Sequence, residues 1–144
     1  MKIEEIFSEW EVDSEIDRTR LDNDAVNTYK LHYKYHKIYT AEKLILYKRE
    51  SEMKKLKFDK YEFYSQGPNE ETISKGWVMP SKGMILKSDI PIYMEGDNDI
   101  IELSLKIGIQ KEKVALLESI IKSIGTRNFT VKNANDFIRW TSGN

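Results

Sequence analysis

The chain contains no cysteine, which excludes disulfides, thiolate metal sites and cysteine nucleophiles. It has no run near the roughly 20 apolar residues that span a bilayer, and its acidic N-terminus lacks a signal-peptide pattern. The expected setting is therefore cytoplasmic. Phosphate-cradling (Gly-x-x-x-x-Gly-Lys-Ser/Thr) and nucleophilic-serine (Gly-x-Ser-x-Gly) motifs are missing, and the N-terminal carboxylates follow a surface pattern rather than ringing a pocket. We expect a chain that binds, not an enzyme, and one that needs no cofactor. A positional absence is the most telling. All seven glycines and all three prolines lie after residue 66, so the first half is free to be continuously helical and the second is not.

What is present is charge, and it is unevenly placed. The formal net charge of -1 conceals an acidic head, in which residues 1 to 28 carry nine acids against Lys2, Arg18 and Arg20. Residues 29 to 64 carry ten bases against Glu42, Glu50, Glu52, Asp59 and Glu62. The rest of the chain is balanced. Such partition suggests separate tasks along one chain.

Within the basic arm lysine alternates with tyrosine, as in Tyr-Lys-Leu-His-Tyr-Lys-Tyr-His-Lys-Ile-Tyr from Tyr29 to Tyr39. Cations neutralise phosphates and aromatic faces stack on unpaired bases, so the composition suits single-stranded nucleic acid. The same pattern also fits a solvated helix whose tyrosines pad a core, and charge alone does not separate DNA from RNA or from an acidic protein. His32 and His36 stand four residues apart, a spacing that permits metal binding, but no third ligand accompanies them. No metal is expected.

Hydrophobic periodicity predicts a mainly α fold. Ile3, Ile6, Phe7 and Trp10 outline a short N-terminal helix. Asp17 or Thr19, with Asp22, marks the start of a long basic helical arm reaching about Tyr64, with or without a break. Lys30, Lys34, Lys37, Lys48 and Lys55 fall on one side of it, and Leu31, Tyr35, Ile38, Tyr39, Ile45, Leu46, Met53 and Leu56 on another. Glu42 and Arg49 interrupt the apolar side, which implies either pairing across subunits or a kink that turns them outward.

Gly67-Pro68 ends the arm. Apolar runs such as Trp77-Val78-Met79, Met84-Ile85-Leu86 and Ile90-Pro91-Ile92-Tyr93 read as strands or extended loop, at most a small irregular sheet. A last long helix, capped by Asp97 or Asp99 and ended by Gly125, has a heptad-like pattern through Leu103, Ile107, Gln110, Val114, Leu117, Ile121 and Ile124. It is apolar on more than one side, which favours self-association. A short helix through Phe137 and Trp140 follows. The expected organisation is an acidic head and basic arm over 1–66, an irregular connector over 67–98 and a helical oligomerisation region over 99–144.

The order of these parts is similar to a known family. Ile16-Asp17-Arg18-Thr19-Arg20-Leu21 with Ala25 and Asn27, Tyr-Lys-Leu-His-Tyr-Lys, Glu62-Phe63-Tyr64-Ser65-Gln66-Gly67, Ile121-Lys122-Ser123, Arg127-Asn128-Phe129-Thr130-Val131-Lys132 and Arg139 together resemble the UvsY family of recombination mediators of T-even-like bacteriophages. The resemblance covers nearly the whole chain. It implies a non-enzymatic protein of the infected host's cytoplasm that binds single-stranded DNA as a homo-oligomeric ring of about six to seven subunits. It further implies contacts with a phage single-strand-binding protein and a RecA-like recombinase, the first being replaced by the second.

The family's DNA-binding motif pairs two basic residues. Lys60 matches the second and Phe58 replaces the first, so Lys57, Lys54 or Lys55 would supply the missing charge and Phe58 could stack on a base. Lys48 and Arg49 extend this candidate site. Oligomer contacts implied toward the C-terminus agree with the apolar pattern of Val114, Leu117, Ile121, Ile124 and Phe129. The competing reading is an oligomeric protein–protein adaptor whose basic stripe docks on an acidic partner.

Overall fold

The computed structural model describes residues 1–80 and 84–143. Among these residues five helices follow in order: α1 (Ile3–Asp13), α2 (Leu21–Gln66), α3 (Glu70–Ser74), α4 (Ile90–Glu95) and α5 (Asn98–Thr141). The fold is mainly α, and no strand occurs among the described residues. The apolar runs of the connector take other forms. Trp77 to Pro80 is irregular, and Ile90–Tyr93 opens α4, because Pro91 has the backbone angle of a first helical turn. Contacts divide the chain into two compact units, Met1–Leu44 with Lys111–Asn144, and Ile45–Gln110.

In the first unit, Ile6, Tyr35, Leu117, Ile120 and Ile124 form a buried core, with Trp10, Leu31, Ile38, Tyr39, Leu116 and Ile121 packed around it. Trp10 meets the Tyr35 ring edge-on at 5.4 Å, a favoured geometry for opposed quadrupoles. The Tyr35 hydroxyl donates to Asp13 over 2.8 Å, and the Lys34 ammonium reaches Asp13 at 2.7 Å and Glu9 at 3.0 Å. Burial on its own raises the Asp13 pKa. Hydrogen bonds from Lys34 and Tyr35 outweigh it and hold the carboxyl below the usual range. The carbonyls that α1 leaves open at its C-terminal end are met by Arg127, which donates to Asp13 O and Ser14 O at 3.4 Å each and to Glu15 O at 3.0 Å.

Glu42 is buried, 3.4 Å from the Lys113 ammonium and 3.4 Å from the amino group of Met1. It finds these partners inside its own protomer, where an outward kink or pairing across subunits was expected. Nor does Gly125 end a helix. α5 continues to Thr141 because Arg127 and Val131, just beyond the glycine, are buried, and that burial outweighs the roughly 1 kcal/mol helix cost of glycine. The expected separate helix at Phe137 and Trp140 is the end of α5.

In the second unit, α2 stops as expected. Gly67 adopts φ 86° and donates its N–H to Phe63 O at 2.9 Å, the left-handed cap that glycine allows. Asn69 and Thr72 then cap α3 reciprocally, each side-chain oxygen accepting the other's backbone N–H at 2.8 Å. A core of Phe63, Tyr64 and Ile90, joined by Trp77, Met79, Ile85 and Met94, fixes the connector. Asp97 is the cap of α5, its Oδ1 accepting the N–H of Asp99 at 3.0 Å and of Ile100 at 3.1 Å.

Candidate nucleic-acid interface

The second-unit part of α2 has two distinct sides. Leu46, Lys60, Phe63 and Tyr64 are buried, whereas Tyr47, Lys48, Lys54, Lys55, Lys57, Phe58 and Tyr61 are exposed. At 100° per residue Tyr47, Lys54, Phe58 and Tyr61 lie within about 60° of one another, with Lys55 and Lys57 roughly 80° to either side. One helix face therefore carries aromatic rings around Lys54, with Lys55 at one edge and Lys57 at the other. Lys55 pairs with Asp59 at 2.9 Å and lies 5.4 Å from the Phe58 ring centroid. The hydrogen bond to Asp59 raises its pKa.

Two of the residues expected to bind DNA are drawn inward. Lys60 is 4% exposed. Its ammonium sits 2.8 Å from Asp99, 3.1 Å from Asp97 and 3.9 Å from the Trp77 ring centroid. The same oxygen of Asp97, Oδ2, also accepts the Tyr64 hydroxyl at 2.6 Å. Burial raises the Asp97 pKa, but Tyr64, the Ile100 N–H and Lys60 together keep the carboxyl below its ordinary value. Tyr64 moves upward, first by burial and then by the bond to Asp97. Arg49 is half-buried and donates to Lys106 O at 3.2 Å and to the buried Gln110 side chain at 3.4 Å. In the first unit, Lys34 is drawn from the expected stripe by Glu9 and Asp13, while Lys30 and Lys37 remain exposed. His32 and His36 stack at 5.7 Å, and no group of three His, Cys, Asp or Glu among the described residues is placed to hold a metal.

The family described as "Recombination, repair and ssDNA binding protein UvsY" matches residues 9–144. The chain belongs to the UvsY family. Its fold is similar to crystal structures of the bacteriophage T4 recombination mediator protein UvsY. One, in lattice type II, shares 19% identity over 99% of this chain and 98% of that one, with a TM-score of 0.83. Another, in lattice type IV, shares 18% identity over 98% and 99% respectively, with a TM-score of 0.80. No curated protein sequence matches the chain.

Against the UvsY pattern, the basic position at Lys60 is enclosed by carboxylates and an indole, whereas Lys54, Lys55, Lys57 and Phe58 face solvent. Of the residues expected to join subunits, Val114, Leu117 and Ile124 are buried and Ile121 packs against the same protomer's core. Phe129 is exposed, as are Phe137 and Trp140 further along α5. Tyr47 and Tyr61, aromatics of the basic arm outside the candidate set, stand 11 and 3 residues from Phe58, a spacing that places them on its face. No helix among the described residues is long and apolar enough to cross a membrane.

Proposed function

We propose that this protein is a non-enzymatic recombination mediator that binds single-stranded DNA and helps a RecA-like recombinase replace a single-strand-binding protein on it. The observation that carries the reading is the exposed side of α2 in a member of this family, where Lys54 stands among the rings, Lys48 and Lys55 flank it on one edge and Lys57 on the other, all four in solvent. These four would neutralise phosphates. Lys60 and Arg49, held by internal partners, would support the face from behind.

The assembly belongs to the same proposal. A homo-oligomeric ring would let several such faces engage one strand, and joint engagement raises affinity by effective concentration without a strong individual contact. With Val114, Leu117 and Ile124 covered inside the protomer, we assign self-association to the exposed apolar side chains Phe129, Phe137 and Trp140 of α5.

Fluorescence anisotropy of labelled oligo-dT and a matching duplex, from low to physiological salt, tests the function. Salt-sensitive binding that prefers the single strand is expected. No binding at low salt would leave an adaptor for an acidic protein as the reading of the same lysines.

A further inference from the structure

The lysines account for attraction to any polyanion, but they leave three exposed rings unexplained. Tyr47 is 51% exposed, Phe58 56% and Tyr61 45%. Rings of this size ordinarily bury 150–250 Å² each, and here they stand on one side of a helix whose opposite side supplies the core. From Tyr47 to Tyr61 no exposed position is aliphatic; the residues between the rings on this face are Ser51 and Lys54. The exposed aliphatic side chains Leu44 and Ile45 precede this stretch and none lies within it. Aromatic rings set among cations match a ligand that is anionic and carries flat apolar faces at the same time.

We propose that Phe58, Tyr61 and Tyr47 stack on unpaired bases, and that this stacking, rather than the lysines, makes the site select single-stranded over double-stranded DNA. The inference rests on the reading of α2 as the nucleic-acid interface and adds the groups that determine its specificity. Phe58 and Tyr61 are separated by about 4.5 Å along the helix axis, close to the roughly 3.4 Å step of bases in a strand, so they take neighbouring nucleotides. Tyr47 lies about 16 Å further along and takes a base several nucleotides away. Lys55, 5.4 Å from the Phe58 ring centroid and paired with Asp59, stands beside the phosphate of a base stacked there. In a duplex the base faces are already stacked on one another, so these rings have nothing to contact and only the lysines act.

Anisotropy titrations at one salt concentration, using labelled oligo-dT and an abasic deoxyribose-phosphate strand of equal length, separate the two contributions. Stacking at about 1–3 kcal/mol per base corresponds to about fivefold or more per ring. The intact protein is expected to prefer oligo-dT by at least that factor. Phe58→Leu and Tyr61→Leu should each erode the preference while leaving abasic binding unchanged, and Lys54→Ala should weaken both strands alike. Equal affinity for the two strands, or a preference that survives both leucine variants, overturns the stacking assignment and leaves the interface standing. Absence of binding to either strand overturns the interface itself.

Discussion

The ammonium of Lys60 and the carboxylate of Asp97 lie 3.1 Å apart, each nearly inaccessible to solvent. Asp97 uses its other oxygen to cap the first turn of α5. The pair thus ties the last turns of α2 to the start of α5, with Trp77 and Tyr64 closing around it. A lysine so placed belongs to the architecture of its unit. A phosphate could reach it only by displacing two carboxylates.

Lys60→Ala is therefore expected to destabilise the protein, by about 3–5 kcal/mol if the carboxylate of Asp97 stays buried without its cation. Thermal unfolding followed by circular dichroism measures this. Lys57→Ala, at an exposed position, should leave the unfolding midpoint nearly unchanged while reducing the salt dependence of single-strand binding by about 0.7 in log–log slope. The reverse pattern, a stable Lys60 variant that loses DNA and a Lys57 variant that does not, would return Lys60 to the interface.

Acid stability follows from the same groups. Asp13 and Asp97 both have folded-state pKa values below the ordinary 3.8. A carboxyl depressed in the folded state contributes stability that is fully present above its unfolded pKa and is lost as pH falls through the folded value. Urea midpoints should accordingly be flat from neutrality to about pH 5 and decline below about pH 4. Asp97→Asn should have a lower midpoint at pH 7 and a shallower acid decline. An equally steep decline in that variant would assign the acid sensitivity to other carboxyls.

Much of this organisation was legible because its causes are local. α1 follows from Ile3, Ile6 and Trp10, and the end of α2 from Gly67, whose positive φ a side chain would oppose. The exposed stripe of α2 was legible as periodicity. What was not legible has distant causes. Lys60 falls in the middle of the apolar side, four residues after Leu56 and seven after Met53, a local sign of burial; its partner Asp99, 39 residues away, has no local sign. Glu42 looked like a defect in an apolar face until Lys113, 71 residues on, supplied its partner. The length of α5 was misjudged at Gly125 for the same reason, since Arg127 and Val131 owe their burial to tertiary contacts that no local propensity registers.

Arg127 offers a direct test of such a distant contact. Its guanidinium donates to three successive carbonyls from Asp13 to Glu15 and lies 3.9 Å from Asp24. Replacing it with methionine keeps the apolar stem but leaves those acceptors without their donor, at a cost on the order of 1–3 kcal/mol. Hydrogen exchange should then accelerate selectively in α1. Arg127→Lys should recover only part of the protection, because an ammonium cannot present the same planar fork. Uniform acceleration over all helices would show instead that α1 and the core open as one unit.

The glycines give predictions of opposite sign. Gly125 lies inside α5, and a Cβ built there would meet nothing within 4 Å. Gly125→Ala should stabilise the protein by about 0.5–1 kcal/mol, because alanine has less backbone freedom to lose in the unfolded chain and no steric conflict in the helix. Gly67 also has open space around its Cβ position, but its φ of 86° is costly for an L side chain. Gly67→Ala should destabilise by about 1 kcal/mol despite the absence of any clash. Chemical denaturation of the two variants side by side decides the matter, since space alone predicts the same sign for both and backbone conformation predicts opposite signs.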